Sequence, residues 1–282
     1  MVKRNQPFVI TLAHEKGGTG KSTLASHLAV GLMYYNRDFK VSLIDLDNRQ
    51  LSCWHFFQNR KQYSIDVPNL ANCNKLNSSF NDSKKTSYTE DFVNLEYMIN
   101  SLSDSDFIIL DSAGSYNNFT MASIFFSDLL ITPVTESHFD INAIIELKKY
   151  EKNILNGPFY EIVFEQRKAR KIAGKPLFEW IVIINRASTL YSENSDECHK
   201  ILSSLSKNLE FTIDYMIKDR HVYKELCSHG LTIFDLPHLV NDLNMMKIKA
   251  HTEMDKFILN ILNRYNKFLE FGEKNIRKTL FG

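Results

Sequence analysis

The sequence is poor in cysteine, glycine and proline and carries no surplus of charge. Its four cysteines, Cys53, Cys73, Cys198 and Cys227, form no CxxC pair and stand at no zinc-type spacing from a histidine. That argues against a disulfide framework or a zinc finger and leaves buried thiols in a reducing compartment. No run approaches the roughly 20 apolar residues of a membrane span. The segment from Met1 to Pro7 lacks the apolar core of a secretory leader, so a cytoplasmic protein is expected. With a formal net charge of +1, bulk electrostatics favours neither nucleic acid nor membrane, and any such contact must rest on a local patch. What is present is 282 residues at 44% hydrophobic composition. That is enough for a well-buried core, and one large α/β domain is the expectation.

Of the ten glycines, three (Gly17, Gly18 and Gly20) crowd into one stretch, Glu15-Lys16-Gly17-Gly18-Thr19-Gly20-Lys21-Ser22-Thr23. An apolar run, Phe8 to Ala13, precedes it and a helical pattern, Leu24 to Val30, follows. Strand, glycine loop and helix in that order form a phosphate cradle: backbone N–H groups approach the phosphate with no Cβ in the way, at a helix N-terminus. Lys21 would reach the β- and γ-phosphates and the Ser22 hydroxyl would ligate Mg²⁺. The usual loop begins with glycine six residues before its lysine; here that position is Glu15, and a second lysine, Lys16, follows it.

Further along, Lys40 to Ile44 reads as a second strand ending at Asp45-Leu46-Asp47, at the ligand-binding edge of a parallel sheet. Asp47 is a candidate to orient an attacking water and Asp45 to support the metal shell, the alternative being that they cap the next helix. Residues from about 61 to 90 are polar without a sustained period and read as a surface insertion with short elements. Phe92 to Leu102 has helical apolar spacing. Phe107 to Asp111 is a buried strand ending in the acid that fixes Mg²⁺, often through water. Leu129 to Val134 is another core strand, Ile141 to Tyr150 a helix, and Phe178 to Ile184 a strand leading into Asn185-Arg186. The Asn185 amide could pair with a purine edge. From Met254 onward a helix carries Phe257, Ile258, Ile261, Leu262, Tyr265, Phe268 and Leu269 on one broad face.

Lys16 to Ser22 resembles the deviant Walker A loop of the ParA/MinD superfamily. Asp45-Leu46-Asp47-Asn48-Arg49-Gln50, the Phe56 to Arg60 segment, Asp219 to Leu226 and Gly230 to Leu236 resemble the MipZ family within it. The resemblance implies a P-loop α/β domain spanning 1–282, with a mostly parallel twisted sheet, helices on both faces and a C-terminal helical region from about 241. It implies an ATPase that dimerises around ATP and Mg²⁺. Lys16 would reach the partner's phosphates, Gly17, Gly18, Thr19, Gly20, Lys21, Ser22 and Thr23 would hold the nucleotide, and Asn185 with Arg186 would read adenine. Implied partners are a second copy of the chain, a ParB-like protein, FtsZ and non-specific DNA, which would place the protein at the nucleoid. A ParA-type partition ATPase, a MinD-type membrane ATPase and a non-hydrolysing nucleotide module are the alternatives. Where relatives continue the Asp111 strand with proline and paired glycines, this chain has Ser112-Ala113-Gly114-Ser115. The basic stretch 165–175 could contact DNA, although a solvated helix face is the commoner use of such a run. The terminal Lys274 to Gly282 mixes bases with Ile, Leu and Phe, much as the membrane-binding tail of MinD does, but a packed or frayed end is commoner.

Overall fold

The computed structural model describes residues 6–63, 67–76, 87–147, 154–189, 193–239 and 244–281. In chain order β1 (Phe8–Leu12) leads into α1 (Lys21–Tyr35), then β2 (Val41–Asp45), α2 (Ser52–Arg60) and β3 (Asn72–Lys75). After α3 (Tyr88–Asn100) come β4 (Phe107–Asp111), α4 (Asn118–Phe126), β5 (Leu129–Val134) and α5 (His138–Ile144). A short ribbon, β6 (Ile145–Leu147) and β7 (Ile154–Asn156), precedes α6 (Pro158–Ile172) and β8 (Glu179–Ala187). The chain closes with α7 (Glu193–Ser206), β9 (Thr212–Lys218), α8 (His221–Ser228), α9 (Leu236–Leu239) and the long α10 (Met245–Phe281).

Seven strands form one sheet in the order β3-β2-β4-β1-β5-β8-β9. Every pairing within it is parallel. A parallel sheet must be covered on both faces, and its strands accordingly read as unbroken apolar runs rather than alternating ones. β1 divides its side chains by the two-residue period of a strand. Phe8, Ile10 and Leu12 pack with α1 and α10, whereas Val9 packs with Leu95, Ile99 and Phe119 of α3 and α4. The apolar face expected on the C-terminal helix is confirmed: Met254, Phe257, Ile258, Ile261 and Tyr265 are buried against α1 and β1. A third cluster gathers Ile131's neighbours Leu130, Trp180 and Val182 with Phe159 of α6 and Leu202 of α7. Among the described residues no helix is long and apolar enough to cross a membrane.

Three elements differ from the sequence expectation. The polar stretch contains β3, which adds to the sheet edge beside β2, pairing Leu43 with Cys73 and Asp45 with Lys75. Its Asn-Cys-Asn-Lys sequence has no apolar alternation because an edge strand buries little. Residues 77–86 of that stretch lie outside the described residues. α3 starts earlier than its apolar spacing suggested, because Ser87 and Glu90 form a reciprocal capping box. The helix expected to run to Tyr150 stops at Ile144, where the chain turns into the β6–β7 ribbon. Along α10, the side chains from 271 onward lie outside the described residues, and with them the proposed membrane tail.

Polar side chains tie the helices to the connections around them, and one of them, His27, sets a pH response. Arg170 of the basic stretch is buried and donates to the carbonyls of Pro176, Phe125 and Ser127, while Arg167 bonds the Glu210 carbonyl and carboxylate. Both arginines are therefore engaged within the fold rather than presented to DNA. His27 of α1 is fully buried, with Nδ1 donating to the Thr23 carbonyl (2.9 Å) and Nε2 accepting from the Ile233 amide (3.4 Å). Burial drives its pKa down to about 4, against the smaller opposing pull of the Thr23 bond and Asp235. Between that value and about 6.5 the unfolded chain binds the extra proton and the folded chain does not, so stability falls as pH falls through this window. His27 alone should remove about 2 kcal/mol between pH 7 and pH 5. Urea unfolding at both pH values should show a pH slope that is smaller in His27→Gln than in the wild type by that amount. Equal slopes would refute it.

Candidate functional site

The cradle sits where the chain reverses across the sheet. From β1 the connection runs to β2 and β4 on one side, and later to β5 on the other, and the crevice at such a switch point is where parallel sheets take ligands. Gly20 caps α1 with φ 92°, a left-handed conformation that costs other residues steric strain. A Cβ there would also stand 2.3 Å from Asn185 Nδ2. That approach has a purpose: the Asn185 amide donates to the Thr19 carbonyl (2.7 Å), and Arg186 donates to the Gly18 carbonyl (2.9 Å). Arg186 reaches it from a register shift in the β8–β9 pairing, with φ 57°; irregular strand positions of this kind re-aim side chains beside functional sites. In the structure these two residues brace the loop backbone.

On the other side of the loop, Gly114 lies against it. A Cβ on Gly114 would come 2.7 Å from the Gly17 nitrogen and 2.8 Å from its Cα, so only glycine fits. The departure from the usual proline-and-glycine sequence after Asp111 therefore keeps one glycine where the segment meets the glycine loop.

Lys21 is buried and its Nζ donates to the Lys16 carbonyl (2.9 Å), spanning the loop. Burial pulls its pKa down, against Asp111 and Asp47, which pull it up. Lys16 turns elsewhere: its Nζ lies 3.3 Å from Asp140 Oδ1, and its amide donates to His14 Nδ1. Because Nδ1 accepts, His14 carries its proton on Nε2, 3.4 Å from the Asp140 carbonyl. Asp140 is in turn held by the Thr135 hydroxyl (2.6 Å) and amide (3.1 Å).

Asp45 and Asp111 are register partners on adjacent strands, and both are fully buried. Burial, and then Asp45, push the Asp111 carboxyl up to about 7; burial also raises Asp45, against the amides of Trp54 and Asp47 that it accepts. Asp111 Oδ1 and the Thr19 hydroxyl are buried without a hydrogen-bond partner. An orphaned carboxylate oxygen beside a loop hydroxyl suits a hard cation, and an orphaned hydroxyl inside a glycine cradle suits a phosphate. The residues fit Mg²⁺ and a nucleotide. Asp47 lines the cleft, and its Oδ1 accepts from the Arg49 and Gln50 amides, fixing the turn before α2.

The cleft has a volume of about 290 Å³ and is lined by Gly17, Gly18 and Gly20 to Thr23, by Asp47 and Gly114, and at its far end by Lys218, Arg220, Tyr223 and Lys224. The last group lies in and beside the Asp219 to Leu226 motif, to which no role could be given from the residues alone. Arg220 is set by Glu253 of α10 and Tyr223 by the Ala250 carbonyl. The other two motifs meet each other. Arg60 and Asp235 form a two-bond pair at 2.8 Å each, with both side chains fully buried.

The chain matches the family model described as ATPase MipZ over residues 8–263. It belongs to the MipZ ATPase family. Its likeness extends to the septum site-determining protein MinD of Helicobacter pylori, 27% identical over 141 residues, or 45% of this chain and 53% of that protein. The match thus spans about half of that relative's length. Among solved structures, the McdA–ATP complex from Cyanothece superposes with a TM-score of 0.65 at 16% identity, covering 92% of this chain and 98% of that one. MinD of the Aquifex aeolicus MinC:MinD complex gives 0.55 at 14% identity, covering 91% and 96%. A plasmid partition protein from Borrelia burgdorferi gives 0.52 at 22%, covering 81% and 98%. At these identities the structures establish the fold: the α/β domain with a parallel central sheet that the sequence led us to expect. Membership in the MipZ family also puts the four family-like motifs in context, since two of them line the cleft and two are welded by Arg60 and Asp235.

Proposed function

We propose that this chain is a dimerising ATPase switch, in which ATP and Mg²⁺ assemble two copies and hydrolysis releases them. The observation that carries the reading is the divergence of the two loop lysines. Lys21 lies in its own cleft, whereas Lys16 is not among the residues lining that cleft and is steered away by Asp140. A lysine fixed outside its own cradle is suited to a partner's phosphates. Within one copy, Gly17, Gly18, Thr19, Gly20 and Thr23 wrap the phosphates with backbone and hydroxyl donors, and Lys21 neutralises their charge. Ser22 and Asp111 would hold Mg²⁺ with Asp45 behind them; the ion would supply charge compensation to the phosphate oxygens. Asp47 orients and deprotonates the attacking water. Asn185 and Arg186 hold the loop from beneath the nucleoside end, where an adenine would lie against them. Because phosphoryl transfer is mostly positioning and charge stabilisation, these few groups suffice.

By its family, the dimer is proposed to regulate division-site placement, binding chromosomal DNA and a ParB-like protein and restraining FtsZ assembly at the nucleoid. The test of the switch is Lys16→Ala. ATP affinity should change less than about threefold, because Lys16 lies outside the cleft, while sedimentation should show no ATP-dependent dimer. Unchanged dimers in that variant would overturn the cross-interface role.

A further inference from the structure

The ATPase reading gives Cys53 no task, yet its thiol donates to Asp111, the carboxylate assigned to Mg²⁺. Cys53 sits in the first turn of α2, fully buried, with Sγ 3.2 Å from Asp111 Oδ2, 3.4 Å from the Ser22 carbonyl and 3.6 Å from Ser26 Oγ. Asp45, Cys53 and Asp111 each offer one ligand atom, and these atoms lie within 4.8 Å of one another. The second observation is the buried Asp111 Oδ1, which has no hydrogen-bond partner.

We propose that Asp45, Cys53 and Asp111 form a binding site for a thiophilic divalent cation, Zn²⁺ above all, in the nucleotide-free chain. The donor set argues for it. Mg²⁺ takes oxygen ligands and does not use sulfur, whereas Zn²⁺ takes a thiolate at about 2.3 Å and carboxylates at about 2.0–2.2 Å. Such bond lengths put tetrahedral ligands about 3.5 Å apart, and the thiol already stands close to that distance from Asp111. Two buried carboxylates at paired positions of adjacent strands also repel each other, and a dication would relieve that repulsion. The amides of Asp47 and Trp54 hold Asp45 in orientation from behind, as outer groups do for metal ligands. Three protein ligands leave a fourth position for water. On binding, the sulfur–metal bond replaces the S–H bond and the proton leaves to the buffer; nothing is oxidised or reduced. One corollary rests on the ATPase reading: since Asp111 is also the carboxylate assigned to Mg²⁺, the two ions exclude each other.

Cd²⁺ is the probe, because its bond to a thiolate gives an ultraviolet charge-transfer band. It is titrated into the nucleotide-free full chain with Cys73, Cys198 and Cys227 replaced by serine, so that Cys53 is the remaining thiol. One equivalent should raise the band, Zn²⁺ should displace it, and Asp45→Asn should weaken Cd²⁺ at least ~10-fold while leaving the saturated band intact. If the triple variant fails to fold, the wild-type band minus that of Cys53→Ser reads the same quantity. No band, or a wild-type band that survives Cys53→Ser, overturns the proposal. Mg²⁺-dependent ATP binding is measured on the same preparations: ATP binding without the band sinks the zinc site alone, and the band without ATP binding sinks the nucleotide reading alone.

Discussion

Asp235→Ala is expected to lower the stability of the chain by about 3–5 kcal/mol, the usual result of stripping one partner from a buried ion pair. The carboxylate takes two bonds from Arg60, one from the Tyr34 hydroxyl (2.8 Å) and two from the Thr232 amide and hydroxyl (2.6 and 2.9 Å). Burial alone would raise its pKa, but Arg60 and these donors together hold it below the ordinary carboxylate value. Alanine leaves the guanidinium, with no exposed surface, facing only the carbonyls of Pro68 and Gly230. For a domain of this size the loss corresponds to a melting temperature roughly 10 °C lower. Replacing both partners, Arg60→Met with Asp235→Leu, should recover only part of the loss, because it removes the orphaned charge but leaves the Tyr34 hydroxyl and the Thr232 amide and hydroxyl without their acceptor. A single-variant loss below about 1 kcal/mol in urea unfolding would contradict this account.

The second large effect is on turnover. Asp47→Ala should reduce the rate of phosphate release by about 10²–10⁴-fold, the range for removing a group that handles the proton of an attacking nucleophile. ATP affinity should move only a few-fold. Alanine also breaks the turn that Asp47 Oδ1 builds with the Arg49 and Gln50 amides, so the discriminating variant is Asp47→Asn. Its amide oxygen can keep the turn but cannot accept the proton. If Asp47→Asn retained the wild-type rate, Asp47 would be a turn former and nothing more.

These residues show where sequence reasoning reached and where it stopped. β1, β2, β4 and β5 were readable because central parallel strands are buried on both faces and mostly apolar, and β2 and β4 end in aspartate. β3 was not, since Asn72 to Lys75 form a partly exposed edge that no apolar period marks. The Ser87–Glu90 capping box was present in the sequence as S-x-x-E before an apolar run and would have placed the start of α3. At the site, Gly20, Lys21 and Asp111 follow from local context, because a loop between strand and helix positions its own residues. Asp140, Gly114 and Cys53 do not, because each meets the loop only through the folding of distant segments. Asp140 carried a usable hint: it lies just past the C-terminal end of a sheet strand, the edge where parallel sheets place functional groups. Cys53 carried none, since a thiol eight residues after Asp45 reads as ordinary core until α2 folds back over β4.

The central claim is that nucleotide state controls assembly through the two loop lysines. It is tested most directly by the solution mass of the wild-type chain, measured by size-exclusion chromatography with light scattering in Mg²⁺–ADP and in Mg²⁺ with a slowly hydrolysed ATP analogue. The account predicts 32.8 kDa in ADP and twice that mass in the analogue. A mass of one chain in both would contradict it.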